Sequence, residues 1–146
     1  MNWVSFVQKH FIAIVLTHDN VTSNGVPIYY YFVKDDNAFY FITKSETIKY
    51  ANIKKNKKAS LSIFTENPPA VFTANCVAEL IEFETNDYIN IKNRLVEIHS
   101  TQESYPSPIS TVKDGILSLV KLIVNDCKLE SYKKDINMLN TRVVTA

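Results

Sequence analysis

Glycine is scarce in this chain, and its scarcity excludes several classes of nucleotide-binding protein. Only 2 of the 146 residues are glycine, Gly25 and Gly115. A P-loop and a dinucleotide-binding turn each need several glycines at fixed spacing, so that backbone amides can approach a phosphate. The Gly-x-Ser-x-Gly elbow of serine hydrolases is also absent. A phosphate site in this protein must therefore be built in another way.

Cysteine and histidine are also few. Cys76 and Cys127 are too far apart for a disulfide framework or a zinc site, and we expect buried thiols in a reduced, cytoplasmic protein. The three histidines, His10, His18 and His99, do not show the spacing of metal ligands. We therefore expect no metal centre and no Ser-His-Asp catalytic arrangement.

Charge of one sign and long apolar runs are missing as well. The formal net charge is +1, which gives no general attraction to nucleic acid or to an anionic membrane. The lysines between Lys54 and Lys58 are interpreted as a solvated helix end. No apolar run approaches the ~20 residues that span a bilayer, and the first residues do not resemble a signal peptide. The composition predicts one soluble domain over residues 1–146.

Strand-like segments dominate what is present. Six apolar or β-branched runs are expected to form strands, and the turn signals between several of them favour antiparallel pairing. The runs are Phe11–Thr17, Val26–Val33, Ala38–Thr43, Ala59–Thr65, Ala70–Glu84 and Ile116–Leu129. Hairpin turns are predicted at Asn24-Gly25 and at Lys34–Asn37. We place a loop around Pro106 and Pro108, and we leave the tail after Tyr132 undefined.

Three helices are expected between the strands. Residues 2–10 have helical spacing of their apolar side chains, and so do residues 86–99, where Tyr88, Ile91, Leu95 and Ile98 share a face. A third helix follows Thr43, because Thr43 and Glu46 have the spacing of a capping box. The predicted fold is mostly β: a six-stranded antiparallel split β-barrel with short connecting helices.

The segment from Thr43 to Lys49 has the residues of a phosphate site. Free amides at a helix start point outward, and the helix dipole favours an anion there. The hydroxyls of Thr43 and Thr47 can donate hydrogen bonds, and Lys49 can add a charge-assisted one. This combination is common in proteins, so the segment taken alone does not distinguish a binding site from an ordinary capped helix.

The order of elements resembles the FMN-binding split barrel of the pyridoxamine 5'-phosphate oxidase-like superfamily. The resemblance covers nearly the whole chain. It is sharpest where the strand Phe39–Thr43 is followed by Thr47, Lys49 and Asn56. It implies an FMN cofactor whose phosphate is bound by Thr43, Thr47 and Lys49.

The same resemblance implies where the rest of the cofactor lies. Pro27, Ile28, Tyr29 and Tyr30 would line the isoalloxazine and ribityl groups, and Ile42 would contribute through its main chain. It also implies a homodimer with the flavin at the interface. These assignments come from the family and not from the spacing of the residues.

The chain departs from the pattern of the true oxidase in several places. Ala70-Val71 stands where such enzymes have Arg-Gln, Cys76–Glu79 replaces a Gly-x-Ala-Glu pattern, and Pro27 stands in an otherwise arginine-rich position. The closing Arg-Leu-x-Pro motif is missing from residues 140–146. We therefore do not expect oxidation of pyridoxamine phosphate.

Four interpretations follow from the sequence. The first is an FMN-dependent oxidoreductase of unknown substrate and unknown catalytic residues. The second is a non-enzymatic flavin carrier or sensor. The third is a related barrel that binds another cofactor, such as a deazaflavin or haem. The fourth is a structural homodimer with an empty pocket. A spectrum of the purified protein separates them.

Overall fold

The structure is a computed structural model that describes residues 2–81, 86–101, 116–135 and 140–145. These residues form three helices and eight strands. The helices are α1 (Trp3–Lys9), α2 (Ile48–Lys55) and α3 (Asn86–Thr101). The strands are β1 (Ile12–His18), β2 (Ser23–Tyr29), β3 (Tyr31–Val33), β4 (Ala38–Lys44), β5 (Lys58–Glu66), β6 (Pro69–Ile81), β7 (Leu117–Asp135) and β8 (Asn140–Thr145).

The strands form one curled antiparallel sheet. Seven of them follow the order β2-β1-β5-β6-β7-β4-β3, and β8 pairs with the far half of β7. The two ends of this order, β2 and β3, are consecutive in the chain and are separated only by Tyr30. Because one short segment forms both edges, the sheet curls until its edges meet at this residue. The predicted mostly β, antiparallel split barrel is confirmed.

The strand count differs from the predicted six for two local reasons. The run Val26–Val33 does not form one strand, because the amide of Tyr30 donates to the carbonyl of Phe11, 2.9 Å away, while the next residues pair with β4. The tail contributes the other extra strand, since β7 continues to Asp135 and β8 pairs with it. The predicted loop at Pro106 and Pro108 lies outside the described residues.

The barrel interior is filled by alternate side chains of the strands. Phe39 and Phe41 of β4 point inward and pack in the main core cluster with Phe72 of β6. The other face of β4 is also covered, because Tyr40 and Ile42 pack in a second cluster with Leu95 of α3. β4 is therefore buried on both faces, and α3 lies against its outer face.

The predicted helices α1 and α3 are confirmed, but the capping box at Thr43 is wrong. Thr43 and Lys44 still belong to β4, where they pair with Ser118 and Leu117 of β7. These ladder bonds hold the backbone extended past the predicted start. Thr47 caps α2 instead, with its side chain accepting a hydrogen bond from the amide of Tyr50.

The predicted hairpin turn at Asn24-Gly25 is also wrong. Both residues lie in β2, where Asn24 pairs with Thr17 and Gly25 with Leu16. The chain turns earlier, because a carboxylate oxygen of Asp19 accepts from the amides of Val21 and Thr22, at 2.9 and 2.7 Å. Asn20 takes the left-handed conformation there, with φ of 79°. The second predicted turn, Lys34–Asn37, is confirmed.

No helix in the described part of the chain is both long and apolar enough to cross a membrane.

Candidate functional site

A gap opens in the barrel wall where β2 and β4 separate. β3 pairs with β4 only from Tyr31–Val33 to Ala38–Tyr40, and β4 then continues to Lys44 with β7 on its other edge. Among the described residues, no strand pairs with the second edge of β4 from Phe41 onward. We call this gap the split. Backbone groups along such an edge are available to a ligand.

The split brings together two groups of residues that are far apart in sequence. In the β3–β4 register Tyr31 lies opposite Tyr40. Continuing this register by two residues leads to Tyr29 on one side and Ile42 on the other. β2 and β4 also approach each other in the folded chain. The predicted residues of β2 and of β4 therefore lie on the two sides of one gap.

The side chains of β2 alternate between the barrel interior and its outer face. Ile28 and Tyr30 point into the core, and the Tyr30 hydroxyl donates to the carbonyl of Val7, 2.6 Å away. Burial raises the pKa of Tyr30 far above its usual range. The side chains of these two residues are therefore unavailable to a ligand in the split, and the amide of Tyr30 is already bonded to the carbonyl of Phe11. Pro27 is exposed on the outer face.

Tyr29 is buried beside α3 and has a contact that the sequence did not predict. Its ring lies 4.8 Å from the ring of His99 and 5.8 Å from that of Phe11, as measured between ring centroids. Burial lowers the pKa of His99, so its neutral form is favoured. No sequence signal links His99 to Tyr29, because the two residues are brought together only by the packing of α3.

The threonines of the predicted phosphate segment contact each other. The Oγ1 atoms of Thr43 and Thr47 are 2.8 Å apart, and Thr47 Oγ1 also lies 2.8 Å from the carbonyl oxygen of Lys44. Thr43 is fully buried, whereas Thr47 is partly exposed at the start of α2. The end of β4 is thus hydrogen-bonded to the first turn of the helix.

Lys49 is the most unusual residue of the segment, because it is a buried lysine. Its relative exposure is 8%, and among the described residues it forms no ion pair or side-chain hydrogen bond. Burial lowers its pKa, since an ammonium group loses hydration in the protein interior. Its Nζ atom is not among the fully buried polar atoms that lack a partner, so the side-chain stem is buried while the ammonium group keeps some access to solvent. An anion can therefore reach a partly dehydrated cation here.

The start of α2 offers two more donors. The amides of Ile48 and Lys49 come first in the helix and have no carbonyl one turn earlier within it. In the part of the chain described here, neither amide forms a backbone hydrogen bond outside the helix. Two free amides and one lysine side chain therefore belong to the first two residues of the helix, where its dipole favours an anion.

The other polar side chains on the inward face of α2 are hydrogen-bonded. Asn52 Nδ2 donates to Thr17 Oγ1 of β1 at 3.1 Å, and both residues are buried. Asn56 caps the helix end and donates to Asn20 Oδ1 at 2.8 Å, with a ring nitrogen of His18 at 3.2 Å. Asn56, which belongs to the family pattern, therefore fixes the helix to the β1–β2 turn.

A separate cleft of about 400 Å³ lies on the β7 side of β4. Apolar and polar side chains share its wall, which includes two tyrosines, two serines and one lysine. It is lined by Ser45, Tyr50, Leu80, Ile81, Tyr88, Ile89, Lys92, Ile116, Leu117, Ser118 and Leu119. Ser45 and Tyr50 connect it to the phosphate segment, but none of the predicted site residues lines it.

The cysteines and histidines do not form a second centre in the described residues. Burial raises the pKa of Cys76 to about 12, and Cys127 is also an unpaired thiol. Cys76 is buried as predicted, whereas Cys127 is only partly buried. Within the described ranges, no group of three or more His, Cys, Asp or Glu side chains could hold a metal ion.

Comparison with known proteins agrees with this architecture. A family model described as pyridoxamine 5'-phosphate oxidase matches residues 2–115. The match covers most of the chain, and the chain therefore belongs to this family. A comparison with curated protein sequences finds no match.

Several solved structures share the fold at low sequence identity. A FAD-binding protein from Mesorhizobium loti aligns with a TM-score of 0.70 at 8% identity, covering 88% of this chain and 92% of that one. An FMN-binding protein from Nostoc punctiforme, related to pyridoxamine 5'-phosphate oxidase, aligns at 0.58 and 12% identity, covering 98% and 90%. HutZ, the haem storage protein of Vibrio cholerae, aligns at 0.65 and 13% identity, covering 87% and 89%. At these identities the likeness establishes the fold alone.

Proposed function

We propose that this protein binds FMN, with the phosphate at the start of α2 and the isoalloxazine ring along the split. The observation that carries this proposal is Lys49, a buried lysine without a described partner at a helix start. A phosphate dianion would neutralise the ammonium group and accept hydrogen bonds from the free amides. The residues present therefore fit the phosphate of the cofactor.

The ring and ribityl groups are assigned to the split by the same reasoning. The main chain of Ile42 lies on the edge of β4 that no described strand pairs. Ile28 belongs to the facing strand β2, and Tyr30 follows directly after that strand. Amide and carbonyl groups of such edges can bind the polar rim of a flavin. Pro27, which is exposed, would contact the ring from the outer face. Tyr29 would contribute through its main chain, because its ring packs against His99 and Phe11.

A bound flavin supplies hydride or electron transfer, while the protein binds and orients it. An FMN-dependent oxidoreductase is the activity that the family membership favours. We assign no catalytic residue, substrate or electron donor. The two unpaired thiols, Cys76 and Cys127, fit a reducing compartment such as the cytoplasm.

Homodimerisation is the second part of the proposal. The outer face of the sheet exposes Ile14 and Leu16 of β1 and Phe64 of β5, at 41%, 41% and 64%. A second copy of the chain would cover these side chains. Sedimentation analysis should give twice the monomer mass, and Leu16→Lys should shift the protein toward monomer. A monomer at all concentrations would contradict the dimer.

The cofactor proposal is tested by titrating the ligand-free protein with FMN and with riboflavin, which lacks the phosphate. The wild type should bind FMN much more tightly than riboflavin. Lys49→Met, which keeps the length of the side chain, should weaken FMN binding by about 10- to 100-fold. Riboflavin affinity should change little, because riboflavin has no group to meet the ammonium.

Lys55→Met is the matched control, since Lys55 lies on the same helix but is exposed. It should leave both affinities near the wild-type values. Equal affinity for FMN and riboflavin in the wild type, or unchanged FMN binding in Lys49→Met, would contradict the assignment. Haem is tested in the same way, and a Soret band with no flavin binding would favour the haem alternative.

A further inference from the structure

The hydroxyl protons of Thr43 and Thr47 are already used within the protein. A threonine hydroxyl has one proton to donate. Thr47 donates its proton to the carbonyl oxygen of Lys44, 2.8 Å away. In the 2.8 Å contact between the two threonines, Thr43 must therefore be the donor and Thr47 the acceptor. Thr47 Oγ1 also accepts from the amide of Tyr50 at 3.3 Å, so its hydrogen-bonding capacity is filled.

An anion needs donors, and these threonines have none left to give. Thr43 is also fully buried, which removes it from contact with a hydrated ligand. Three donors remain at the helix start: the amides of Ile48 and Lys49 and the Lys49 ammonium group. None of the three has a hydrogen-bond partner among the described residues.

We infer that Thr43 and Thr47 are positioning residues, and that the phosphate of the flavin is bound by the Ile48 and Lys49 amides together with the Lys49 ammonium. The bonds from Thr43 to Thr47 and from Thr47 to Lys44 form a relay. This relay connects the last residues of β4 to the first turn of α2. It fixes the direction in which the free amides point. The inference rests on the proposed function and specifies how its phosphate site works.

The experiment is a double-mutant cycle read out by FMN affinity. Thr43→Val removes the donor and keeps the shape of the side chain, and Thr47→Ala removes the acceptor. Each change should weaken FMN binding by about fivefold, while riboflavin binding changes little. If Thr43 acts through Thr47, the double variant should bind FMN no more weakly than Thr47→Ala alone. Thr43→Ser keeps the donor and should restore wild-type affinity.

Losses that multiply in the double variant would overturn the inference, because they would mean that each hydroxyl contacts the phosphate independently. The same cycle in ligand-free protein, measured by urea unfolding, tests the relay without any cofactor. Coupling between Thr43 and Thr47 should be present there, and its absence would also overturn the inference. If the wild type binds FMN no better than riboflavin, the proposed function and the phosphate role fail together. The hydrogen-bond relay is then tested by the double-mutant cycle in urea unfolding alone.

Discussion

The two ends of α2 present polar side chains to the protein interior, but only one end is satisfied there. Lys49, Asn52 and Asn56 are three and four residues apart, which places them on one face of the helix. Asn52 is hydrogen-bonded to Thr17, and Asn56 is hydrogen-bonded to Asn20. Lys49 has the same orientation toward the interior and no described partner.

This difference separates a structural polar group from a binding group. A buried amide with a partner contributes to stability, whereas a partly dehydrated ammonium group without one reduces it. The comparison predicts opposite responses to mutation at the two ends: a loss of stability at Asn52 and a gain at Lys49.

The largest effect on stability is expected at Asn52. Asn52→Ala removes the donor to Thr17 and leaves a buried hydroxyl without it, so the free energy of unfolding should fall by about 2 kcal/mol. Urea unfolding measures this change. The preference for FMN over riboflavin should persist in the folded variant, because Asn52 has no assigned contact with the phosphate.

The matched control removes both polar partners. Asn52→Leu combined with Thr17→Val replaces the hydrogen bond by apolar groups of similar size, and it should recover much of the lost stability. If Asn52→Ala abolished the FMN preference while the protein stayed folded, the proposed division between the two ends of α2 would be wrong.

A smaller effect of opposite sign is expected at Lys49. Without ligand at neutral pH, Lys49→Met should raise the free energy of unfolding by about 1 kcal/mol, because it removes an unpaired and partly dehydrated ammonium group. The same variant should lose FMN affinity. Saturating FMN should reverse the order of stabilities, since a ligand stabilises the state that binds it. A ligand-free Lys49→Met less stable than wild type would indicate that the lysine has a structural role.

Much of the fold could be predicted from apolar runs and turn chemistry. β1 comes from a run that is apolar at every position, and it buries every second side chain, as with Ala13 and Val15. The errors fall where two local signals compete. Asn24-Gly25 is a strong turn signal, but Asp19 caps its own turn first and β2 pairs through the glycine. Pairing with β7 likewise overrides the predicted cap at Thr43.

The site could be predicted only in part. The family pattern identifies Lys49, but it does not indicate that the lysine is buried or that the threonine hydroxyls are used internally. Those properties depend on three-dimensional packing between the end of β4 and α2. The contact of His99 with Tyr29 is of the same kind, because it joins residues from distant parts of the chain.

The smallest effect is expected from pH, and it also distinguishes the two ends of α2. Burial lowers the pKa of Lys49 from its ordinary value of 10.5. As the pH rises through the lowered pKa, the ligand-free folded protein loses this proton while the unfolded chain keeps it up to the ordinary pKa. The unfolded state then binds more protons, so the stability of the ligand-free wild type rises with pH in this window. The difference in free energy of unfolding between the wild type and Lys49→Met should therefore become smaller as the pH rises.

Loss of the same proton should lower FMN affinity, although it raises the stability of the ligand-free protein. The phosphate is already a dianion above its second pKa of about 6, so the titrating group in this window is the lysine. Binding of the phosphate requires the ammonium form, and half of this form is lost at the lowered pKa of Lys49. The ratio of FMN to riboflavin affinity should therefore fall by about twofold between neutral pH and that pKa. In Lys49→Met this affinity ratio should not depend on pH, and in Asn52→Ala it should depend on pH as in the wild type. If the ratio of FMN to riboflavin affinity in the wild type did not change with pH, the charge of Lys49 would not contribute to binding of the phosphate.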